Sequence, residues 1–178
     1  MPSIVSIIGN RRPDNYSAHA ATLVTELLRK AGADVEVFDG RTLSLAFPGE
    51  PEGADAQRLR DAVRAADGVL LTTPEYHGTF SAYLKLIIEN LEYPSVLSGK
   101  AVAMVGVGSG RIGAVKSLEA LRSCLAHCGA IVMPHAISIA GVRQVFDETG
   151  KCLNPGAQQA LAGVADSLLA FLSGRNTV

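Results

Sequence analysis

This sequence carries almost no net charge. Sixteen Lys and Arg against seventeen Asp and Glu leave −1 over 178 residues, with no acidic or basic run at either end. A protein that tracks a phosphate backbone needs a basic footprint, so nucleic acid is not an expected partner. Long apolar runs are also missing: Ala101 to Val107, one glycine included, falls far short of the roughly 20 residues that cross a bilayer. The opening Met1-Pro2-Ser3-Ile4-Val5-Ser6-Ile7-Ile8 has no basic n-region and no small-residue cleavage site before Asn10-Arg11-Arg12, unlike a signal peptide. The chain is therefore expected in the cytoplasm, without a membrane partner. Only three cysteines occur, an odd number with Cys124 and Cys128 four apart and Cys152 remote, so no disulfide framework follows. No low-complexity linker or internal repeat divides the chain. What is present is 48% hydrophobic content and 18 glycines in 178 residues, the size of one compact domain over 1–178.

Short apolar runs alternate with helical patterns. Residues 3–8 form a β-branched run that stops at Gly9, and 17–31 carry Leu23, Leu27 and Leu28 on one face before Gly32. Residues 34–38 alternate as a strand with one wetter face, and 40–53, with two prolines and three glycines, read as a long surface loop. Residues 54–66 predict a helix, and 69–73 a buried strand that stops at Pro74. A helix follows over 79–91, with Phe80, Tyr83, Leu84, Ile87, Ile88 and Leu91 as an unusually wide apolar stripe. Residues 101–107 make a fourth strand, 114–127 a helix, 130–139 a fifth strand containing Pro134, and 155–172 a last helix with Asn154 as its cap and Pro155 at its first turn. Five apolar strands separated by helices imply a parallel five-stranded sheet covered on both faces, a three-layer α/β/α sandwich. Ligands of such sheets bind beyond the carboxyl ends of the strands, which directs attention to the loops that begin at Gly9, Pro74 and Gly106.

The first loop, Gly9 to Ser17, enters a helix whose first N–H groups lack partners, a place where a phosphate can sit. Gly9 allows close approach, Asn10, Asn15 and Ser17 are short polar groups, and Arg11 or Arg12 offers a guanidinium fork. Asp14 would repel a dianion, so it is expected to turn outward or bond its own turn. An ordinary capped turn explains several of these residues equally well. In the second loop, Thr72 to Ser81, Tyr76 among turn residues suits a planar ligand. His77 and Glu75 have no nucleophile beside them, and work at a helix N-terminus is the better reading of Glu75 than acid–base chemistry. The third loop contains Gly108-x-Gly110-x-x-Gly113, but a dinucleotide fingerprint belongs on the first βα turn with an acid about 20 residues on, where this chain has Ile131 to Met133. Such a loop instead lets a flat ring meet backbone N–H groups. Cys124, His127 and Cys128 continue a helical stripe with Leu118, Leu121 and Leu125, so packing is preferred to a metal site there.

Together the three loops resemble the NADPH-dependent FMN reductase family, the flavodoxin-like group of quinone, chromate and azo-dye reductases, over about residues 3–172. Gly9, Asn10, Arg12, Asn15, Tyr16 and Ser17 align without a gap on the family's Gly-Ser-x-Arg-x-x-Ser pattern and the aromatic and asparagine that follow it, with asparagine at two serine positions. Pro74-Glu75-Tyr76-His77-Gly78 and Leu84-Lys85 match its Pro-Glu-Tyr-Asn-Gly motif and Leu-Lys pair, with His77 for asparagine. Gly99-Lys100-Ala101-Val102 and Ser109-Gly110-Arg111-Ile112-Gly113 match its third loop. The resemblance implies a flavodoxin-like fold and an FMN with its phosphate on Gly9, Asn10, Arg12, Asn15, Tyr16 and Ser17. Its ribityl chain and ring would lie along Pro74, Glu75, Tyr76, His77 and Gly78, and its pyrimidine end would meet Ser109, Gly110, Arg111 and Gly113. It further implies NADPH or NADH as electron donor, a small acceptor such as a quinone, chromate, an azo compound or free flavin, and a homodimer or homotetramer. The flavin would carry the chemistry, with no catalytic side chain and no metal. An electron carrier of flavodoxin type and a non-catalytic flavin-binding module remain as alternatives.

Overall fold

The computed structural model describes residues 1–175. In chain order the elements are β1 (Ser3–Ile8), α1 (Tyr16–Lys30), β2 (Asp34–Asp39), α2 (Ala56–Ala65), β3 (Gly68–Tyr76), β4 (Thr79–Phe80), α3 (Ala82–Glu89), β5 (Ala101–Val107), α4 (Val115–His127), β6 (Ile131–Val132), β7 (Ile137–Ile139) and α5 (Pro155–Arg175). The sheet runs β2-β1-β3-β5-β6, with β7 also on β5, and every pair along this path is parallel. That is the doubly wound, flavodoxin-like order, with its switch point between β1 and β3.

Period-two alternation sorts each strand between two cores. Ile4, Leu70, Ala103 and Val105 pack under α1 and α5, whereas Val5, Ile7, Val69, Leu71, Val102 and Met104 face α2, α3 and α4. Each fully buried Leu or Ile contributes about 1.5–3 kcal/mol, so both layers are held by burial more than by charge. The wide stripe of α3 is spent here: Leu84, Ile87 and Leu91 are wholly buried in the second core, with Phe80 and Tyr83 packed at its edge. Cys124 and Cys128 also pack against this core, and burial raises the Cys124 thiol above its usual range. Helix ends follow the local chemistry. Asn15 accepts the Ala18 N–H at 2.8 Å, Ser81 accepts that of Leu84 at 2.9 Å, and Asn154 accepts that of Ala157 at 2.9 Å.

Three boundaries differ from the sequence reading. β3 does not stop at Pro74, which pairs with Val107, but runs on to Tyr76. β1 has already ended at Ile8, opposite Thr72, so β3 has an open edge there and tolerates a residue without an N–H. The segment before α3 is not helical: Thr79 and Phe80 fold back antiparallel on Tyr76 and Glu75. The fifth strand is split into β6 and β7 around Pro134, and the Met133 and Pro134 carbonyls accept the Arg122 guanidinium at 3.0 and 3.2 Å instead of pairing within the sheet. No helix among the described residues is long and apolar enough to cross a membrane.

Candidate functional site

The carboxyl ends of β1, β3, β5 and β7 enclose a cleft of about 270 Å³. Asn10, Arg12, Asp14, Asn15 and Tyr16 line it from the first loop, Pro74, Glu75 and Tyr76 from the second, and Val107, Gly108 and Ser109 from the third. Val142 and Arg143, after β7, close the remaining side.

The first loop is folded by its own asparagines. Asn10, buried, accepts the Arg12 N–H at 3.2 Å. Asn15 donates to the Arg12 carbonyl at 2.8 Å while its Oδ1 caps α1, so its side chain is committed at both ends. Asn10 Nδ2 and the first N–H groups of α1 remain as donors toward a ligand. Gly9 is fixed by sterics: its N–H donates to the Thr72 carbonyl at 2.8 Å, and a Cβ there would lie 2.8 Å from both Thr72 O and Leu84 Cβ. Ser81 Oγ donates to the Gly9 carbonyl and locks this turn against α3. The two arginines have separate fates. Arg11 lies over the Tyr83 ring, 5.5 Å from its centroid, whereas Arg12 lines the cleft. Burial raises the Tyr83 hydroxyl above its usual range despite Arg11. Asp14 is exposed at the cleft wall, and its charge reaches Arg41. Arg41 donates to the Pro13 carbonyl at 3.0 Å and pairs with Asp39, tying the first loop to the end of β2. Burial pushes the Asp39 carboxyl up, but the Arg41 hydrogen bonds and charge hold it below the usual range.

Ser17 is the most informative residue. It is wholly buried in the first turn of α1, and its hydroxyl has no hydrogen-bond partner among the described residues. A buried, unsatisfied hydroxyl costs about 1–3 kcal/mol, so its presence at a helix N-terminus fits a ligand that accepts from it. A phosphate meets that requirement together with the α1 N–H groups and Arg12.

The second loop is a two-residue hairpin. His77 and Gly78 both have positive φ, 50° and 75°, between the paired Tyr76 and Thr79. Tight hairpin turns of this hand favour Asn-Gly, and histidine is among the few other residues that tolerate the conformation. His77 and Gly78 are exposed and do not line the cleft, so the identity at 77 acts on the turn. Glu75 points elsewhere: its carboxylate accepts the Ser117 N–H at 3.0 Å, and Ser117 Oγ donates to the Pro74 carbonyl at 3.2 Å. α4 has no capping side chain of its own at Ala114, so Glu75 caps it from the neighbouring strand.

That cap anchors the third loop, which precedes α4. Gly108 is required, since a Cβ there would lie 2.3 Å from the Gly113 carbonyl, and Gly113 has φ +73° with Ser138 Oγ 2.5 Å from its own would-be Cβ. Gly110 faces open space, and Arg111 is exposed; neither lines the cleft. The Gly108 and Gly110 carbonyls accept the N–H groups of Val142 and Gly141, both at 3.1 Å, which brings Arg143 to the cleft. Of the expected site residues the structure thus gathers Asn10, Arg12, Asn15, Tyr16, Pro74, Glu75, Tyr76 and Ser109. Gly9, Ser17 and Gly113 shape or underlie the site, and His77, Gly78, Gly110 and Arg111 lie outside its lining. Sequence reasoning missed Val142 and Arg143; the carboxyl end of the fifth strand is the signal that would have found them.

Comparison with known proteins gives a consistent picture. A family model described as NADPH-dependent FMN reductase matches residues 2–144. A quinone reductase of Pseudomonas putida is 29% identical over 177 residues, covering 96% of this chain and 94% of its own. An NADPH azoreductase of Bacillus sp. is 30% identical over 145 residues, covering 76% of this chain and 79% of its own. Among solved structures, the flavoenzyme NAD(P)H:(acceptor) oxidoreductase FerB of Paracoccus denitrificans superposes with a TM-score of 0.80 over 98% of each chain at 20% identity, a likeness of fold.

Proposed function

The chain belongs to the NADPH-dependent FMN reductase family, and on that premise we propose that it is an FMN-dependent NAD(P)H oxidoreductase that reduces a small acceptor. The chemistry such a site would draw on is that of a flavin, two-electron exchange between a reduced nicotinamide and an acceptor. The observation that carries the reading is the orphaned, fully buried Ser17 hydroxyl in the first turn of α1, the helix that follows the loop from which Asn10 and Arg12 line the cleft. Ser17 Oγ, Asn10 Nδ2 and the α1 N–H groups would hold the FMN phosphate, and Arg12 would neutralise it. Tyr76 and Val107 would offer flat and apolar walls to the ring and Ser109 a backbone N–H, whereas the Gly108 N–H is already given to the Ile139 carbonyl at 2.9 Å. Glu75 acts at one remove by holding α4 and the turn before it. His77, Gly78, Gly110 and Arg111 surround the mouth without lining it.

The acceptor class follows the names of the relatives, a quinone reductase and an azoreductase, so a quinone or an azo compound is the acceptor we propose. We also propose a cytoplasmic homodimer or homotetramer, as the family resemblance implies. The test is nicotinamide oxidation with a benzoquinone acceptor, with and without added FMN, in the wild type and in Arg12→Ala. FMN-dependent turnover, with FMN affinity in Arg12→Ala lowered about tenfold or more and melting unchanged, supports the reading. Turnover that ignores FMN, or equal FMN affinity in the two proteins, overturns it.

A further inference from the structure

Asp14 places a carboxylate in the loop that would receive a dianion, where its charge is unfavourable. The backbone around it offsets this. The segment after β2 lies against the first loop: the Gly40 N–H donates to the Ile8 carbonyl at 3.1 Å, and a Cβ at Gly40 would lie 2.9 Å from the Asn10 carbonyl. Arg41 follows, and Asp39 holds it. The Arg41 Nε donates to both Asp39 carboxylate oxygens, at 2.9 and 3.1 Å, its Nη2 donates to Oδ2, and its backbone N–H donates to Oδ1 at 2.9 Å. Those bonds and the Asp39 charge raise the Arg41 guanidinium above its ordinary range. Its Nη1 is left for the first loop and donates to the Pro13 carbonyl at 3.0 Å.

A trans peptide carries its C=O and N–H on opposite sides. With the Pro13 carbonyl turned toward Arg41, the N–H of the same peptide, that of Asp14, is turned away from Arg41. Asp14 lines the cleft and Arg41 does not, so that direction is the cleft side. The Asp14 N–H has no hydrogen-bond partner among the described residues. It joins the Ser17 hydroxyl as an unspent donor at the entry to α1. The asparagines brace other parts of the loop, Asn10 the Arg12 N–H and Asn15 the Arg12 carbonyl, which leaves the Pro13–Asp14 peptide to Arg41 among the described residues. Resting on the FMN reading above, we propose that Arg41 is a positioning residue of the phosphate loop. By bonding the Pro13 carbonyl it turns the Pro13–Asp14 peptide so that Asp14 offers its N–H to the phosphate. The action runs through this bond rather than through charge, because Asp39, in direct contact, cancels the guanidinium and leaves the pair little net field.

Riboflavin, which is FMN without its phosphate, separates this role from a structural one. Both flavins are titrated by fluorescence into the wild type, Arg41→Ala and Asp39→Asn, each first shown by melting to be folded at the titration temperature. In Arg41→Ala the Kd for FMN is expected to rise at least about tenfold while that for riboflavin stays within about twofold. Asp39→Asn, nearly isosteric, loosens the hold on Arg41 and should weaken FMN in the same selective way, and the double variant should bind FMN no more weakly than Arg41→Ala. The ratio between wild type and Arg41→Ala should persist in about 1 M salt, where the Debye length is about 3 Å and a bare counter-charge is screened. Equal losses for FMN and riboflavin, additive losses in the double variant, or an FMN defect that salt removes overturns the proposal. A wild type that prefers FMN to riboflavin, with an Arg41→Ala that does so equally, refutes the role of Arg41 and leaves the FMN reading standing. A wild type that binds neither flavin refutes that reading, and the proposal with it.

Discussion

Ser17→Ala is expected to move stability and ligand affinity in opposite directions. The Ser17 hydroxyl is wholly buried and has no hydrogen-bond partner among the described residues, so the fold bears its desolvation without a compensating bond. Removing one oxygen atom there deletes that cost, about 1–3 kcal/mol, and leaves no cavity of consequence. For a chain of 178 residues each kcal/mol is worth about 2–4 °C in melting temperature, so flavin-free Ser17→Ala should melt several degrees higher. With FMN the balance reverses. A hydroxyl donating to a phosphate contributes about 1.5–3 kcal/mol, and its loss raises the Kd about 10- to 150-fold. The assay pairs thermal melting of flavin-free protein with fluorescence titration of FMN. A variant that melts lower while binding FMN as tightly as the wild type would refute the reasoning, because the hydroxyl would then have a structural partner and no ligand.

Two other sites make separable predictions. Glu75→Ala should lose the cap on α4, costing about 0.5–2 kcal/mol, and should weaken FMN binding as the 108–113 turn is released; Glu75→Gln, which keeps an acceptor for the Ser117 N–H, should recover most of both, as melting and FMN titration will show. The Asp39 carboxyl is held below its usual range by Arg41, so its contribution is complete above about pH 4, the unfolded value, and disappears as pH falls through the lower folded value. Asp39→Asn should accordingly be less stable than the wild type at neutral pH and converge with it in acid, which melting curves across the acid range will decide.

Much of this molecule is written in strand alternation. Runs such as Val69 to Thr73 and Ala101 to Val107 are apolar at both parities, which places them between two helical layers, and the three loops at their carboxyl ends follow from the parallel order. Pro74 misdirected the end of β3 because its tolerance depends on where a different strand, β1, stops. The His77-Gly78 hairpin was hidden because its positive φ values are ordinarily announced by Asn-Gly, and because Phe80 continues the spacing of α3. Within the site, residue chemistry alone left Arg11 and Arg12 equal and the motif resemblance picked Arg12; in the fold Arg11 lies over the Tyr83 ring, some seventy residues away, and Arg12 lines the cleft. Sequence could not rank the glycines. Gly108 is closed in by the Gly113 carbonyl and Gly110 by nothing, a distinction that exists only after the turn is folded. Arg143 carried no motif at all and reaches the cleft through backbone bonds of Gly141 and Val142 to the third loop.

The central claim is that the cleft at the β1–β3 switch point binds FMN in a state that a reduced nicotinamide can reach. An anaerobic absorption spectrum of the FMN-reconstituted protein, recorded before and after addition of NADH or NADPH, tests it most directly. Retention of flavin through gel filtration, followed by bleaching of its visible band, is the predicted result. Failure to retain flavin, or a retained flavin whose band neither dinucleotide bleaches, would contradict the account.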